Sequence, residues 1–278
     1  MDAMDHRLPH SHLAAPFTVF ELRRYRIAAG ARQRFARRFE TWFPEAFQQL
    51  GAYAFGQFFE RGQAERFTWL RGFRDMAQRL AVNTAFYDGP VWQEHKDALN
   101  ADLLECDDVL LLRPLYPDSG PALLPAPDPL AEPHGAQGLA VAQLFRVAPG
   151  RLADCALAAE QWFVHYQGRG VTEAAILATL DQPNNFPRHA VRSDAGYLVW
   201  LGVLSGDAAL APLLPLFERG AAALAQAGLL DGPPELLLLD PAPRSRLRWI
   251  QPAGLTRAPA APPYLGARPG NSVQQAAA

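Results

Sequence analysis

Two neighbouring segments in the first half of the chain hold side chains that could form a ligand site. Trp69 and Arg71 alternate in FTWLRGF, and strand residues two apart project from the same sheet face, about 7 Å apart. Tyr87, Trp92 and His95 follow in a stretch with helical spacing, where Trp92 and His95 share a helix face. A small-molecule pocket requires such apolar walls with a few convergent polar groups. The pattern predicts a pocket between this strand and the helices that follow it.

Arg71 is the most demanding of these residues. A guanidinium among aromatic side chains is costly to bury unless it is paired or meets an anion. Three interpretations stay open: Glu21 on the neighbouring strand neutralises it, a ligand carboxylate does so, or the side chain reaches water at the rim of the sheet. The first two interpretations are compatible with a cavity.

The remaining candidates carry weaker chemical signals. His95 could be a proton shuttle or a metal ligand, since imidazole titrates near neutrality, or a partly exposed helix residue. Tyr25, Tyr87 and Trp92 could place hydrogen-bonding tips at the edge of a pocket, or they could belong to the core. The candidate catalytic residues are His95, Arg71 and Tyr87, and the candidate ligand-binding residues are Tyr25, Trp69, Arg71, Tyr87, Trp92 and His95. No metal site is predicted.

The elements that must position these residues can be read from periodicity. Residues 17–27 are typical of a strand, and apolar residues then recur at helical spacing as far as Leu50, with Pro44 predicting a kink or a break. Residues 52–73 form a predicted β-hairpin, and residues 75–104 a helix in two pieces split at Tyr87-Asp88-Gly89-Pro90. A buried strand, VLLLR, completes the order β-α-β-β-α-β.

An internal repeat doubles this unit. Trp42-Phe43 recurs as Trp162-Phe163 at an offset of 120, Trp69-Leu70 as Trp200-Leu201 at an offset of 131, and VLLLRP as LLLLDP at an offset of 127. The chain is therefore predicted to be an α+β protein of two tandem ferredoxin-like units. Each unit leaves one sheet face uncovered, and two such faces packed together would enclose a barrel-like cavity, within the chain, between chains, or both.

Composition sets the remaining boundaries. Hydrophobic residues make up 49% and charged residues 19%, and a net charge of -2 gives no polybasic footprint for nucleic acid or anionic lipid.

The predicted segments are a flexible start (1–16), a first domain (17–117), a Pro/Gly-rich linker (118–137), a degenerate second domain (138–252) and a disordered tail (253–278). The chain lacks GxGxxG, GxxxxGK[ST], GxSxG and HExxH motifs, which argues against nucleotide-binding and common hydrolase sites. No secretory signal or apolar span is apparent, and we expect a cytoplasmic protein.

Several motifs resemble those of the NIPSNAP family in the dimeric α/β barrel superfamily, as found in bacteria. They are ELRRYRIAAG (21–30), GQF (56–58), RFTWLRGFRDMAQR (66–79), AFYDGPVWQEH (85–95) and DDVLLLRP (107–114). The resemblance is dense in the first copy and holds only in outline in the second. Ala29 departs from the proline common in the family, and Gly202 stands where the first copy has Arg71.

The resemblance implies a fold more firmly than a function. Relatives in the superfamily include cofactor-free monooxygenases, haem-degrading oxygenases and isomerases, which hold polar residues in an apolar cavity. We therefore expect a small apolar or acidic ligand in the barrel cavity of the first domain, with cofactor-free monooxygenase- or isomerase-like activity. The alternative is a non-catalytic interaction or scaffold protein with a filled barrel. No cofactor is predicted, with haem as the alternative, and the expected assembly is a homodimer.

Overall fold

Fourteen helices and strands follow one another in the order expected from the repeat. The computed structural model describes residues 17–250; the predicted flexible start and disordered tail lie outside them. Unit 1 consists of β1 (Val19–Ile27), α1 (Arg32–Gln49), β2 (Tyr53–Glu60), β3 (Arg66–Phe73), α2 (Met76–Tyr87), α3 (Pro90–Asn100) and β4 (Leu103–Pro114). Unit 2 consists of β5 (Leu139–Val147), α4 (Leu152–Gln167), β6 (Thr172–Thr179), β7 (Gly196–Leu204), α5 (Asp207–Leu210), α6 (Leu214–Gln226) and β8 (Glu235–Pro241). The predicted α+β class with two βαββαβ units is confirmed.

The eight strands form one closed antiparallel barrel in the order β1-β3-β2-β8-β5-β7-β6-β4. Each unit supplies four adjacent strands. The two seams lie between β2 and β8, where Phe59 pairs with Asp240, and between β4 and β6, where Arg113 pairs with Ala178. The barrel therefore closes within the chain, one of the three arrangements that the uncovered sheet faces allow. No helix among residues 17–250 has the length and apolarity needed to cross a membrane.

The barrel lumen is packed with side chains. Phe20 and Leu22 of β1, Phe55 of β2 and Leu70 of β3 belong to one buried apolar cluster, together with inward-facing residues of unit 2 such as Val199. An eight-stranded barrel has an interior just wide enough for its own side chains. Apolar side chains of both units therefore pack together inside the barrel, where the sequence predicted a barrel-like cavity between the two sheets.

The two units are joined by residues 115–138, which contain no helix or strand but pack against the barrel. Leu123 belongs to the lumen cluster. The Arg246 guanidinium donates to the carbonyl of Leu124, and the Arg248 guanidinium donates to Pro125 O and to the Glu132 carboxylate. This connection therefore covers part of the barrel instead of standing free.

Helix α1 continues through Pro44 without a break. Proline has no N–H, so the carbonyl of Glu40, four residues earlier, loses its helical hydrogen bond. The Arg244 guanidinium donates to that carbonyl instead, and the Arg244 backbone N–H donates to the Glu40 carboxylate at 2.8 Å. A segment that follows β8 thus replaces the missing helical donor.

The outward face of the unit 1 sheet packs against α1, α2 and α3. The helical stretch is divided as predicted: Asp75 caps the start of α2 by accepting from Gln78 N–H, and Pro90 occupies the first turn of α3. Odd-numbered residues of β1 and β3, including Tyr25 and Trp69, face these helices because strand residues alternate between the two sheet faces.

A loop of unit 2 reaches across to unit 1. The β6–β7 connection covers residues 180–195, whereas the equivalent β2–β3 connection covers only residues 61–65. Phe186 in the longer loop is buried in the core cluster of unit 1. The insertion of about eleven residues accounts for the rise of the repeat offset from 120 to 131.

Candidate active site between the first sheet and its helices

A cavity of about 230 Å³ lies between the outward face of the unit 1 sheet and helices α1–α3. Its walls are mostly aromatic. The lining residues are Tyr25, Phe39, Phe43, Phe47, Trp69, Phe86, Tyr87, Trp92, Leu99, Asn100, Leu103, Cys106 and His189. Four of the predicted site residues, Tyr25, Trp69, Tyr87 and Trp92, are thus brought together around one space.

A buried cluster of charges adjoins this cavity. The Glu21 carboxylate accepts from three arginines: Arg23 Nη1 at 2.8 Å, Arg71 Nε at 2.7 Å and Arg79 Nε at 2.6 Å. All four side chains are fully buried. The Arg71 guanidinium carbon lies 5.2 Å from the centre of the Trp69 ring and 5.3 Å from that of Phe47, and both rings line the cavity.

The cluster has more positive charge than negative. Burial tends to raise the pKa of Glu21, but Arg71, Arg23 and Arg79 outweigh burial and hold it well below the usual carboxylate range. Three guanidiniums and one carboxylate leave a net charge of about +2. Within residues 17–250, Arg71 Nη1 and Arg79 Nη2 have no hydrogen-bond partner, although buried polar groups are nearly always paired.

The polar end of the cavity combines two hydroxyls and an imidazole. Tyr25 Oη accepts from Arg23 Nε at 3.0 Å, which links the cavity to the arginine cluster. The His189 ring lies 4.3 Å from that of Tyr87. Burial, reinforced by the charges of Arg23 and Arg71, lowers the pKa of His189 to about 3, so the imidazole is neutral at physiological pH.

The family of the first unit follows from its sequence. The NIPSNAP family model matches residues 20–115, which run from β1 to the end of β4. Unit 1 is a NIPSNAP domain. No curated protein matches the chain.

Solved structures similar to the chain extend over both units. One is a candidate monooxygenase from Lactobacillus acidophilus NCFM, with 12% identity, a TM-score of 0.51, and coverage of 81% of this chain and 94% of that one. Another is a candidate monooxygenase from Fusobacterium nucleatum, with 9% identity, a TM-score of 0.51, and coverage of 82% and 94%. An anthrone oxidase-like protein has 8% identity, a TM-score of 0.51, and coverage of 82% and 92%. At these identities the likeness establishes the fold alone.

The long loop of unit 2 is part of the site in the NIPSNAP domain. Asn184 Oδ1 and Asn185 Oδ1 accept from Arg79 Nη1 at 3.0 and 2.7 Å. Asn184 Nδ2 also donates to the His189 carbonyl at 2.7 Å. The loop therefore connects the arginine cluster to His189. Sequence reasoning missed these residues, although the excess length of this loop in the second repeat was a usable signal.

The other predicted site residues lie in different surroundings. Arg71 is paired with Glu21, the first of the three interpretations, and its complete burial excludes the sheet rim. His95 is not among the residues that line the cavity. Its ring stacks on Trp42 of α1, with centroids 4.0 Å apart and planes 7° from parallel. Within residues 17–250, no group of three or more His, Cys, Asp or Glu side chains is arranged to hold a metal ion.

Proposed function

We propose that the NIPSNAP domain binds a compact, mainly apolar molecule in its aromatic cavity and abstracts a proton from it without a cofactor. The observation that carries this proposal is the convergence of Tyr25, Tyr87 and a neutral His189 on one enclosed, aromatic-walled space. Polar groups so placed orient a ligand whose apolar body fills the cavity.

The size of the cavity limits the ligand. At about 230 Å³ it is smaller than the roughly 300–1,000 Å³ of pockets for drug-sized molecules. One or two fused rings match this space. The size of the cavity favours such a ligand over haem, because a tetrapyrrole is larger.

Proton abstraction is the step that isomerase-like and cofactor-free oxygenase-like reactions share. His189 lines the cavity and is unprotonated at physiological pH, so it is the group that would accept the proton. Its lowered pKa makes it a weak base in the free protein; the anion that forms beside it would raise that pKa, and the excess positive charge nearby favours that anion. Isomerisation returns the proton to another carbon. In oxygenation, O₂ converts a CH₂ group to a carbonyl group, with one oxygen atom entering the product and the other leaving in water.

The proposal can be tested with 2-tetralone, a compact aromatic ketone with an activated CH₂ group. In D₂O, we expect the full chain to accelerate the exchange of hydrogen for deuterium at that CH₂ group, which NMR can follow. We also expect 2-tetralone to raise the melting temperature of the protein. His189→Gln should abolish the acceleration, whereas His95→Gln, outside the cavity, should retain it. Exchange at the buffer rate without a melting-temperature shift would contradict the proposal. Oxygen consumption separates oxygenation from simple exchange.

A non-catalytic scaffold is the second candidate function, and the filled lumen favours it. A scaffold needs no ligand, so an unchanged melting temperature across aromatic ketones, acidic metabolites and haem would support it. The homodimer remains a prediction. Closure of the barrel within the chain already covers the inward sheet face of both units, so a dimer would have to use another surface.

A further inference from the structure

We infer that the buried arginine cluster of Glu21, Arg23, Arg71 and Arg79 is the subsite for a carboxylate of the ligand. The inference rests on the proposed function, because it assigns a chemical class to the molecule in the same cavity. The ligand is then an aromatic acid: its ring occupies the aromatic cavity and its anionic group faces the cluster.

Charge balance is the first argument. A buried ion pair requires one partner for each charge, and an uncompensated buried charge costs several kcal/mol. In the part of the chain that the structure describes, Glu21 is the one carboxylate bonded to the three guanidiniums, and Arg79 is otherwise bonded to the neutral Asn184 and Asn185. A bound carboxylate would halve the excess positive charge.

The hydrogen-bond inventory is the second argument. Both oxygens of Glu21 are already used, Oε1 by Arg79 and Oε2 by Arg23 and Arg71. Among residues 17–250, the buried groups without partners include three donors of the cluster and its neighbour, namely Trp69 Nε1, Arg71 Nη1 and Arg79 Nη2. Tyr25 Oη accepts from Arg23, which leaves its own proton free to donate. A surplus of donors is complementary to an anion, which only accepts.

Position is the third argument. Trp69 lines the cavity and carries one of these free donors, and the Arg71 guanidinium carbon is 5.2 Å from the centre of its ring. The Arg23 guanidinium carbon is 5.5 Å from the centre of the Tyr25 ring, which also lines the cavity. The cluster therefore packs against aromatic rings of the cavity wall, and a carboxylate on a ligand ring in the cavity would need to pass only that wall to meet it.

Benzoate and its neutral isostere benzamide test the inference on the full chain. By titration calorimetry, we expect benzoate to bind at least tenfold more tightly than benzamide. Arg71→Met should reduce benzoate affinity about tenfold and leave benzamide affinity unchanged. Arg26→Met removes an exposed arginine of β1, the strand that carries Glu21 and Arg23; Arg26 is paired with Glu105, and its loss should leave the benzoate preference intact.

The possible outcomes distinguish a failure of the carboxylate subsite from a failure of the proposed cavity function. Equal binding of both compounds to the wild-type protein would overturn the carboxylate subsite but leave the cavity function standing. Binding of neither would contradict the cavity function, and the subsite with it. If Arg71→Met does not fold, Arg79→Met serves as the second variant. The comparison of benzoate with benzamide on the wild-type protein still decides whether a carboxylate subsite exists. A preference that survives both substitutions would also overturn the assignment.

Discussion

The two units share one fold but differ in the chemistry of their outward sheet faces. At the positions related by the repeat, the first unit has Glu21, Arg23 and Arg71, whereas the second has Val141, Gln143 and Gly202. The matched tryptophans, Trp69 and Trp200, are both fully buried. Only the NIPSNAP domain therefore carries a charged cluster beneath its helices at these positions.

The two tryptophans differ in their surroundings: Trp69 lines the cavity of unit 1, whereas Trp200 packs in the apolar core of unit 2. A Cβ atom added to Gly202 would lie 2.4 Å from the Trp200 ring and 2.6 Å from Val171, so Trp200 occupies the space that a longer side chain would need. In the NIPSNAP domain, Arg71 takes that position beside Trp69. Unit 2 lacks the cluster at these positions but supplies four strands to the barrel and a loop that contacts Arg79 of unit 1.

Removal of the counter-charge should have the largest effect. Glu21→Gln leaves three buried guanidiniums without a carboxylate, and we expect it to lower the free energy of unfolding by about 3–5 kcal/mol at pH 7. Urea denaturation measures this. Glu105→Gln, whose partner Arg26 is at the surface, should have little effect. A similar small change for Glu21→Gln would show that the cluster is solvated.

The pH dependence of Glu21 has a definite sign. Its folded-state pKa lies below the unfolded value, with burial opposing the shift and the arginines causing it. Its contribution to stability is therefore present above the usual carboxylate range and is lost only as the pH falls towards the folded-state pKa.

Much of the fold could be predicted from local sequence patterns. The order of elements followed from periodicity, and the repeat followed from pairs such as Trp42-Phe43 and Trp162-Phe163. Alternation along a strand placed Trp69 and Arg71 on the helix-covered face. The same alternation could have placed Glu21 and Arg23 beside Tyr25, since these residues are also two apart on one strand.

The rest of the site depends on contacts that no local pattern contains. His95 shares a helix face with Trp92, but spacing alone does not determine which neighbour that face meets, and Trp42 of α1 takes the His95 ring. His189 comes from a loop of the other repeat, about a hundred residues from Tyr87 in sequence. Closure of the barrel brings that loop to the NIPSNAP domain.

The helix that contains Pro44 provides a second contrast, since α4 has Val164 at the matched position. Burial, partly offset by Arg244, raises the pKa of Glu40 to about 7. Its contribution to stability is present below pH 4.5 and is lost as the pH rises through 7. Glu40→Gln should therefore be more stable than the wild-type protein at pH 8, on the order of 2–3 kcal/mol.

Thermal unfolding from pH 4 to 8 checks this expectation. Glutamine keeps an oxygen that can accept from Arg244 N–H, so the backbone bond is retained. Glu160→Gln, at the matched position of α4, is the control. If the stability difference between Glu40→Gln and the wild-type protein is the same at pH 4 and at pH 8, the pKa of Glu40 is not raised.

Crowding at Gly202 predicts a smaller effect in unit 2. Gly202→Ala places a methyl group against the Trp200 ring, and such overpacking costs about 1–3 kcal/mol. Gly196→Ala on the same strand is the matched control, because its Cβ has open space around it. Denaturant titration should separate the two variants. Equal stabilities would mean that Trp200 can move aside and that unit 2 could still accommodate a side chain like Arg71.

The last expected effect concerns the β6–β7 loop, which reaches from unit 2 to the NIPSNAP domain. Asn184→Ala removes the bonds to Arg79, to the Phe186 backbone N–H and to the His189 carbonyl, at a cost of about 1 kcal/mol for each hydrogen bond. We expect a modest fall in melting temperature but a large loss of 2-tetralone exchange, because His189 loses its position. A parallel, proportionate loss of both would indicate a purely structural loop.

The most direct test of the account is a crystal structure of the full chain soaked with 4-bromobenzoate. The account predicts anomalous bromine density in the aromatic cavity of the NIPSNAP domain and a carboxylate within hydrogen-bond distance of Trp69 Nε1 or Arg71 Nη1. Unit 2 should contain no such ligand between its sheet and helices. A bound molecule with its carboxylate directed to solvent, or an equivalent site in unit 2, would contradict it.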